Sequence, residues 1–318
     1  MNEIELIRRF FSSRPVTRRD VALGIGDDAA LATVPPGMEL VITTDSLVAG
    51  IDFLPDTDPG AVAHKALAVN LSDLAAMGAD PAWFTLSLIL PDADEQWLAP
   101  FAQGLFAIAR RFDIELVGGD LSRGPLTVHI GAYGHVPAGE ALRRDGAAIG
   151  DQIFVTGTIG DAALALAHLL DSKPVTPEDE AVIRERLDRP VPRVEEGRKL
   201  RKIASAAIDI SDGLWKDLGH ITAASGVGAR VQLEQLPLSD VYRRHLGQIG
   251  YDPAIATGDD YELCFTVPRA RVSKLNQAGP FAAGIKCIGE ITKGTSVEFV
   301  DAQGNSYQPA RRGYDHFT

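Results

Sequence analysis

Ten acidic residues fall in short motifs flanked by Gly, Ser or Thr: Asp27 and Asp28 in GIGDDAA, Asp45 in TTDS, Asp73 in NLSDLAAMGA, Asp120 in GGDLS, Asp209 and Asp212 in DISDGL, and Asp259, Asp260 and Glu262 in GDDYEL. Several of these follow apolar, strand-like runs, so a fold that gathers the strand ends would gather the carboxylates too. Gathered carboxylates repel by on the order of several kcal/mol per close pair at intermediate dielectric, and cations must then compensate them. Mg²⁺ is the natural candidate, a hard ion that takes oxygen ligands and bridges to phosphates.

Each motif has a chemical reading and a plainer one. Asp27 and Asp28 point to different sides of an extended chain, leaving one for a metal and one for a backbone group, or else both belong to an Asx turn. Thr43, Thr44 and Ser46 set neutral oxygens around Asp45; the alternative is a strand that ends there on a capping Asp. Asp73 sits among Ala, Leu and Met, where burial without a partner is costly, so it is either exposed or a ligand. Gly118 and Gly119 offer backbone N–H groups to a phosphate beside Asp120, and no Walker-type GxxxxGK[ST] run occurs. Thr156–Asp161, TGTIGD, opens a helix whose N-terminus suits an anion, or is simply a capped start. Asp209, Ser211 and Asp212 make half a Mg²⁺ site, compatible with Ser211 or Asp212 N-capping the next helix. Arg143, Arg144 and Arg193 are candidate phosphate partners. The histidines are unclustered, and no Ser/His/Asp or Cys/His pattern appears, so acyl transfer and zinc chemistry are not indicated.

The elements that must position these residues alternate along the chain. ELVITT reads as a strand ending at Asp45; Asp58, Pro59 and Gly78 bound a helix with an apolar stripe, Asn70 and Asp73 sharing another face. WFTLSLIL is a strand, 94–111 a helix, IELV a short strand leading into the glycine pair, and 126–136 a long strand. After Pro137 a small, polar segment reads as an interdomain connection. A second half then repeats the strand–turn–helix theme: DQIFVT, AAIDIS, GARVQL, ELCFTV, IKCIGEI and SVEFV as strands, with GLWKDLGHITAAS as a helix. The expected class is mixed α/β (α+β) in two domains, 1–137 and 138–318.

With 318 residues, two domains are the default. A net charge of −12 leaves no basic stripe for nucleic acid. No apolar run reaches membrane-span length, and MNEIELIRRFF looks like an amphipathic helix and not a signal sequence, so cytoplasm is the expected compartment. The two cysteines, Cys264 and Cys287, read as buried, reduced thiols.

Taken together, GIGDDAA, TTDSLVAG, HKALAVNLSDLAAMGADPAW, GGDLSRGPL, TGTIGDAA, IDISDGL, GDDYELCFTV and the terminal GYDHF resemble the thiamine-monophosphate kinase family over essentially the whole chain. The resemblance implies the two-domain fold shared with aminoimidazole ribonucleotide synthetase, and a homodimer whose N-terminal sheets form a barrel. It implies transfer of the ATP γ-phosphoryl to thiamine phosphate with several Mg²⁺ ions. By motif, Asp28, Thr43, Thr44, Asp45, Asp73, Asp120, Asp209 and Asp212 match metal-ligand positions, and Gly119, Arg144 and Ser211 match ATP contacts. The departures lie at thiamine positions: Asp52 in GIDF where relatives often read GxHF, Asp259 in place of Glu, and Arg311 where an aromatic is expected. No general base is expected, because the acceptor is an ionised phosphate. A different acceptor within the superfamily, or a non-catalytic nucleotide- or metal-binding regulator, are the competing expectations.

Overall fold

The computed structural model describes residues 2–12, 16–171 and 173–317. The chain divides into two compact units, one of Met1–Leu74 with Ala79–Gly139, the other of Ala75–Gly78 with Glu140–Thr318.

The first unit runs α1 (Glu3–Phe10), β1 (Val21–Leu23), β2 (Leu31–Ala32), β3 (Met38–Val48), α2 (Pro59–Ala76), β4 (Asp80–Leu90), α3 (Glu95–Arg111), β5 (Glu115–Arg123) and β6 (Thr127–Pro137). Among the described residues its main sheet has the order β3-β6-β4-β5. All neighbours are antiparallel except β4 and β5, the pair joined through α3. The helix starts follow from their caps: the Asp58 carboxylate accepts the Ala61 N–H at 2.9 Å, and Asp94 accepts that of Gln96 at 2.8 Å. Gly78, with φ of 66°, supplies the left-handed residue after α2.

Three local expectations are corrected. β3 does not end at Asp45 but pairs with β6 as far as Val48 opposite Thr127. The glycine pair is not a turn after a short strand: β5 continues through Gly118, Gly119 and Asp120, because β4 offers a parallel neighbour as far as Leu90. A Cβ at residue 119 would lie 1.9 Å from the Leu86 carbonyl oxygen, so this register needs glycine there. Finally, α2 is not amphipathic. Ala, Val and Leu occur around its whole circumference, and Asn70 is fully buried with them.

The second unit comprises β7 (Gln152–Thr156), α4 (Asp161–Asp171), α5 (Pro177–Asp188), α6 (Val194–Leu200), β8 (Ala206–Asp209), α7 (Leu214–Ser225), β9 (Gly228–Gln232), α8 (Asp240–Ile249), α9 (Asp252–Ala256), β10 (Leu263–Val267), α10 (Val272–Gln277), β11 (Ile285–Thr292), β12 (Val297–Val300) and β13 (Ser306–Tyr307). Among the described residues its sheet has the order β13-β12-β9-β11-β7-β10-β8, with only β9 and β12 parallel. β8 and β10 are buried at every residue, which is why they read as continuous apolar runs. Ile153, Val155, Ile208, Leu214, Leu218 and Ile288 anchor the core. Leu263 pairs with Asp209, so the start of β10 meets the end of β8 and the two acidic loops lie side by side. Cys264 is buried, Cys287 half-buried, and both are free thiols.

Candidate active site

In the first unit, the Thr43 hydroxyl donates to Asp73 Oδ2 across the space between β3 and α2. Strand alternation places Asp45 on the same face as Thr43 and turns Thr44 the other way. The Thr44 hydroxyl donates to the Ile130 carbonyl at 3.1 Å and meets His129 Nε2 at 3.1 Å, while Ser46 meets Nδ1 of the same ring at 2.8 Å. Register puts Asp120 opposite Ser87 and Ser87 opposite His129, hence on the Thr44 face. Its carboxylate accepts from the Ser122 hydroxyl at 2.6 Å. Asp28 is exposed, and its N–H donates to Asp27 Oδ1 at 2.8 Å, a contact between adjacent residues. Asp52 is occupied locally: Oδ2 accepts the Val48 N–H at 2.8 Å, and its carbonyl accepts from Lys65 Nζ at 3.3 Å.

In the second unit, Asp209 ends β8 and is buried, and Ser211 and Asp212 follow on the loop before α7. Neither Ser211 nor Asp212 caps that helix. Gly213, with φ of 114°, is the N-cap, and no side chain caps it. The loop's donors go instead to one atom, Asp217 Oδ2, which accepts the N–H groups of Ser211, Asp212 and Gly213 at 3.1, 3.1 and 3.0 Å. Burial, then the nearby Asp209 and Asp212, pushes the Asp217 carboxyl up to about 8. Sequence reasoning missed this residue, although its position four residues after Gly213 in the first turn of α7 was a usable signal.

The GDDYEL loop is tied directly to that loop. Asp259 N–H donates to the Ser211 carbonyl and Tyr261 N–H to that of Ile210, both at 2.9 Å. Asp259 and Tyr261 both adopt left-handed backbone, with φ of 62° and 52°. The Tyr261 hydroxyl donates to Asp259 Oδ1 at 2.8 Å.

The other two acids turn inward. Glu262 is fully buried, bound by Arg193 through two hydrogen bonds of 2.6 and 2.5 Å, by Arg186 at 2.9 Å and by the Thr156 hydroxyl at 2.7 Å. Asp260 Oδ1 accepts the Gly160 N–H at 2.8 Å, and burial pushes its carboxyl well above the ordinary range. The place at the start of α4 that could have held an anion is therefore taken by the chain's own Asp260 side chain.

Of the three candidate arginines, Arg193 is committed to Glu262, and Arg143 pairs with Asp145 at 2.5 Å. Arg144 is exposed, as is Arg311. A cavity of about 350 Å³ lined by Val16, Phe106, Arg110 and Glu115 includes none of the candidate residues.

The donors are hard oxygens, carboxylate and hydroxyl, which suits Mg²⁺ held by one or two carboxylates with phosphate and water completing its octahedron. Among the described residues no three His, Cys, Asp or Glu side chains stand close enough to hold a metal ion by themselves. No helix among them is long and apolar enough to cross a membrane.

Comparison with known proteins agrees with this architecture. The family model "AIR synthase related protein, N-terminal domain" matches residues 26–136, and the corresponding C-terminal domain model matches 148–302. The thiamine-monophosphate kinase of Salmonella typhimurium is 51% identical over 99% of this chain and 98% of its own. That of Escherichia coli K12 is 49% identical with the same coverages. A crystal structure of thiamine-monophosphate kinase from Stenotrophomonas maltophilia K279a superposes with a TM-score of 0.87 at 44% identity, covering 96% of this chain and 98% of that one. The structure described as AaThiL complexed with AMPPCP and TMP has a TM-score of 0.79 at 33% identity, covering 99% and 96%.

Proposed function

The chain belongs to the thiamine-monophosphate kinase family, and from that premise we propose that it transfers the γ-phosphoryl group of ATP directly to thiamine phosphate, giving thiamine diphosphate. The observation that carries this reading is the identity of about half the residues to such kinases over nearly the full length. A family neighbour bound to AMPPCP and TMP supports the same pair of ligands.

In this reading Asp28, Thr43, Thr44, Asp45, Asp73, Asp120, Asp209 and Asp212 supply oxygen ligands for several Mg²⁺ ions. A metal held by these oxygens would neutralise phosphate charge during the transfer. Gly119, Arg144 and Ser211 contact ATP: the glycine lets backbone approach phosphate, and the guanidinium pairs with it. Asp52, Asp259 and Arg311 face the thiamine moiety, Asp259 offering a carboxylate to the aminopyrimidine. The acceptor is already ionised, so positioning and charge neutralisation suffice and no side chain need remove a proton.

The open face of the first unit's sheet exposes Leu40 at 39% and Ile42 at 64%. We read it as the surface on which a second copy packs, making the enzyme a homodimer. Free thiols at Cys264 and Cys287 and the need for ATP accord with a cytoplasmic enzyme.

The test is direct. Purified protein incubated with ATP, Mg²⁺ and thiamine phosphate should yield thiamine diphosphate and ADP in equal amounts on chromatography. ATP consumption without thiamine diphosphate would point to another acceptor. Asp212→Asn should lower turnover by about a hundredfold or more with an unchanged circular dichroism spectrum. Near-normal rates at saturating Mg²⁺ would remove Asp212 from the ligand set.

A further inference from the structure

The start of α7 carries a cation that the phosphoryl-transfer reading leaves unused. Lys216 Nζ stands 2.7 Å from Asp212 Oδ2 and donates to the Tyr314 carbonyl, also at 2.7 Å. Tyr314 closes the circuit, its N–H donating to the Asp212 carbonyl at 2.9 Å. Gly313 permits the approach: its φ is 126°, and a Cβ there would lie 2.7 Å from Lys216 Cβ. On the other side, Arg312 lies over the Trp215 ring, 5.3 Å from its centroid. Residues 312–314 thus strap the first turn of α7 and fix the path of the lysine side chain.

Asp212 lies on the loop just before α7 and Lys216 in its first turn, so the pair joins the loop to the helix. Their side chains are 33% and 32% exposed, so the pair contributes little to stability. Its consequence is competitive. An ammonium group occupies an oxygen of the carboxylate assigned to a divalent ion, and both cannot hold that oxygen at full strength.

We propose that Lys216 is the resident counter-ion of Asp212, that Mg²⁺ displaces it, and that displacement frees the Tyr314 carbonyl and loosens the C-terminal strap. The inference rests on Asp212 being a metal ligand. Because coupling between two binding events is reciprocal, a strap that holds Lys216 in place also opposes the metal.

The experiment uses the full chain with AMPPCP and measures, by calorimetry, the Mg²⁺ concentration giving half-maximal nucleotide binding. Lys216→Met should lower that concentration about three- to fivefold, the scale of a partly exposed ion pair, while Lys216→Arg stays near the parent. In parallel, deuterium uptake by a peptide spanning 312–317 should rise on Mg²⁺ addition in the parent. In Lys216→Met it should be high with or without Mg²⁺. If Asp212→Asn raises the Mg²⁺ requirement but Lys216→Met leaves it unchanged, the counter-ion role is overturned while the metal assignment stands. If Asp212→Asn leaves it unchanged, the metal assignment falls and takes this inference with it. Strap exchange indifferent to Mg²⁺ in the parent overturns the linkage.

Discussion

At Asp217 a single carboxylate oxygen closes three backbone donors of the loop that presents Ser211 and Asp212. Replacing it with alanine strands a buried donor at Gly213 and two half-buried ones at Ser211 and Asp212, at about 1–3 kcal/mol for a fully buried group and less for the others, with losses that do not add fully. Asp217→Ala should therefore lower the unfolding free energy in urea by about 3 kcal/mol and abolish turnover. Asp217→Asn, which keeps an oxygen acceptor, should lose clearly less of both. This residue was passed over in the sequence because its partners are backbone groups and an acid on a helix reads as solvated, although its place in the first turn of α7 marked it. Arg193 misled for a related reason: a guanidinium looks like a phosphate ligand until the fold buries Glu262 against it. The motif acids Asp45, Asp73 and Asp212 stand out as candidates in the sequence, since small neighbours and apolar flanks mark a carboxylate that something must compensate.

Elements were legible where a local signal decides them. Asp58–Pro59 and Asp94 fixed two helix starts through their caps. The continuation of β5 through Gly118 and Gly119 was hidden, because only the parallel neighbour β4 makes a strand of a sequence that favours a turn. Gly119→Ala should accordingly cost more than about 2 kcal/mol, since the added methyl meets the rigid Leu86 backbone, and thermal unfolding would register it. The strand β1 is reached through a second local device, the ion pair of Arg18 with Asp20, made by hydrogen bonds of 2.9 and 2.8 Å. Burial works against the Asp20 carboxylate, but the hydrogen bonds and charge of Arg18 outweigh it and hold its pKa below the ordinary 3.8. A depressed acid stabilises the fold above its unfolded value and loses that contribution as pH falls. Arg18→Met should thus be less stable than the parent at neutral pH, and the gap should close below the ordinary 3.8 in an acid titration followed by tryptophan fluorescence.

For the whole molecule, the alternation of strand and helix in both halves made a mixed α/β chain legible, whereas sheet order was not, because strand pairing depends on contacts distant in sequence. The exposed Leu40 and Ile42 lie on an 11-residue edge strand, β3, where the proposed association would bury apolar surface. Ile42→Lys should shift the protein from dimer to monomer in sedimentation velocity at micromolar concentration while its circular dichroism stays that of the parent. An unchanged sedimentation coefficient would remove this face as the interface. The GDDYEL loop has a consequence of another kind. Asp260 and Glu262 pin it from within, and the backbone hydrogen bonds of Asp259 and Tyr261 pin it to the neighbouring loop. The Asp259 side chain takes no part in those backbone anchors. On the proposed reading the second unit separates tuning from construction: within the residues that its left-handed backbone admits, such as Asp, Asn or Gly, position 259 can change at the cost of the Tyr261 hydroxyl contact without losing the backbone anchors, and selectivity for the acceptor would be adjusted there.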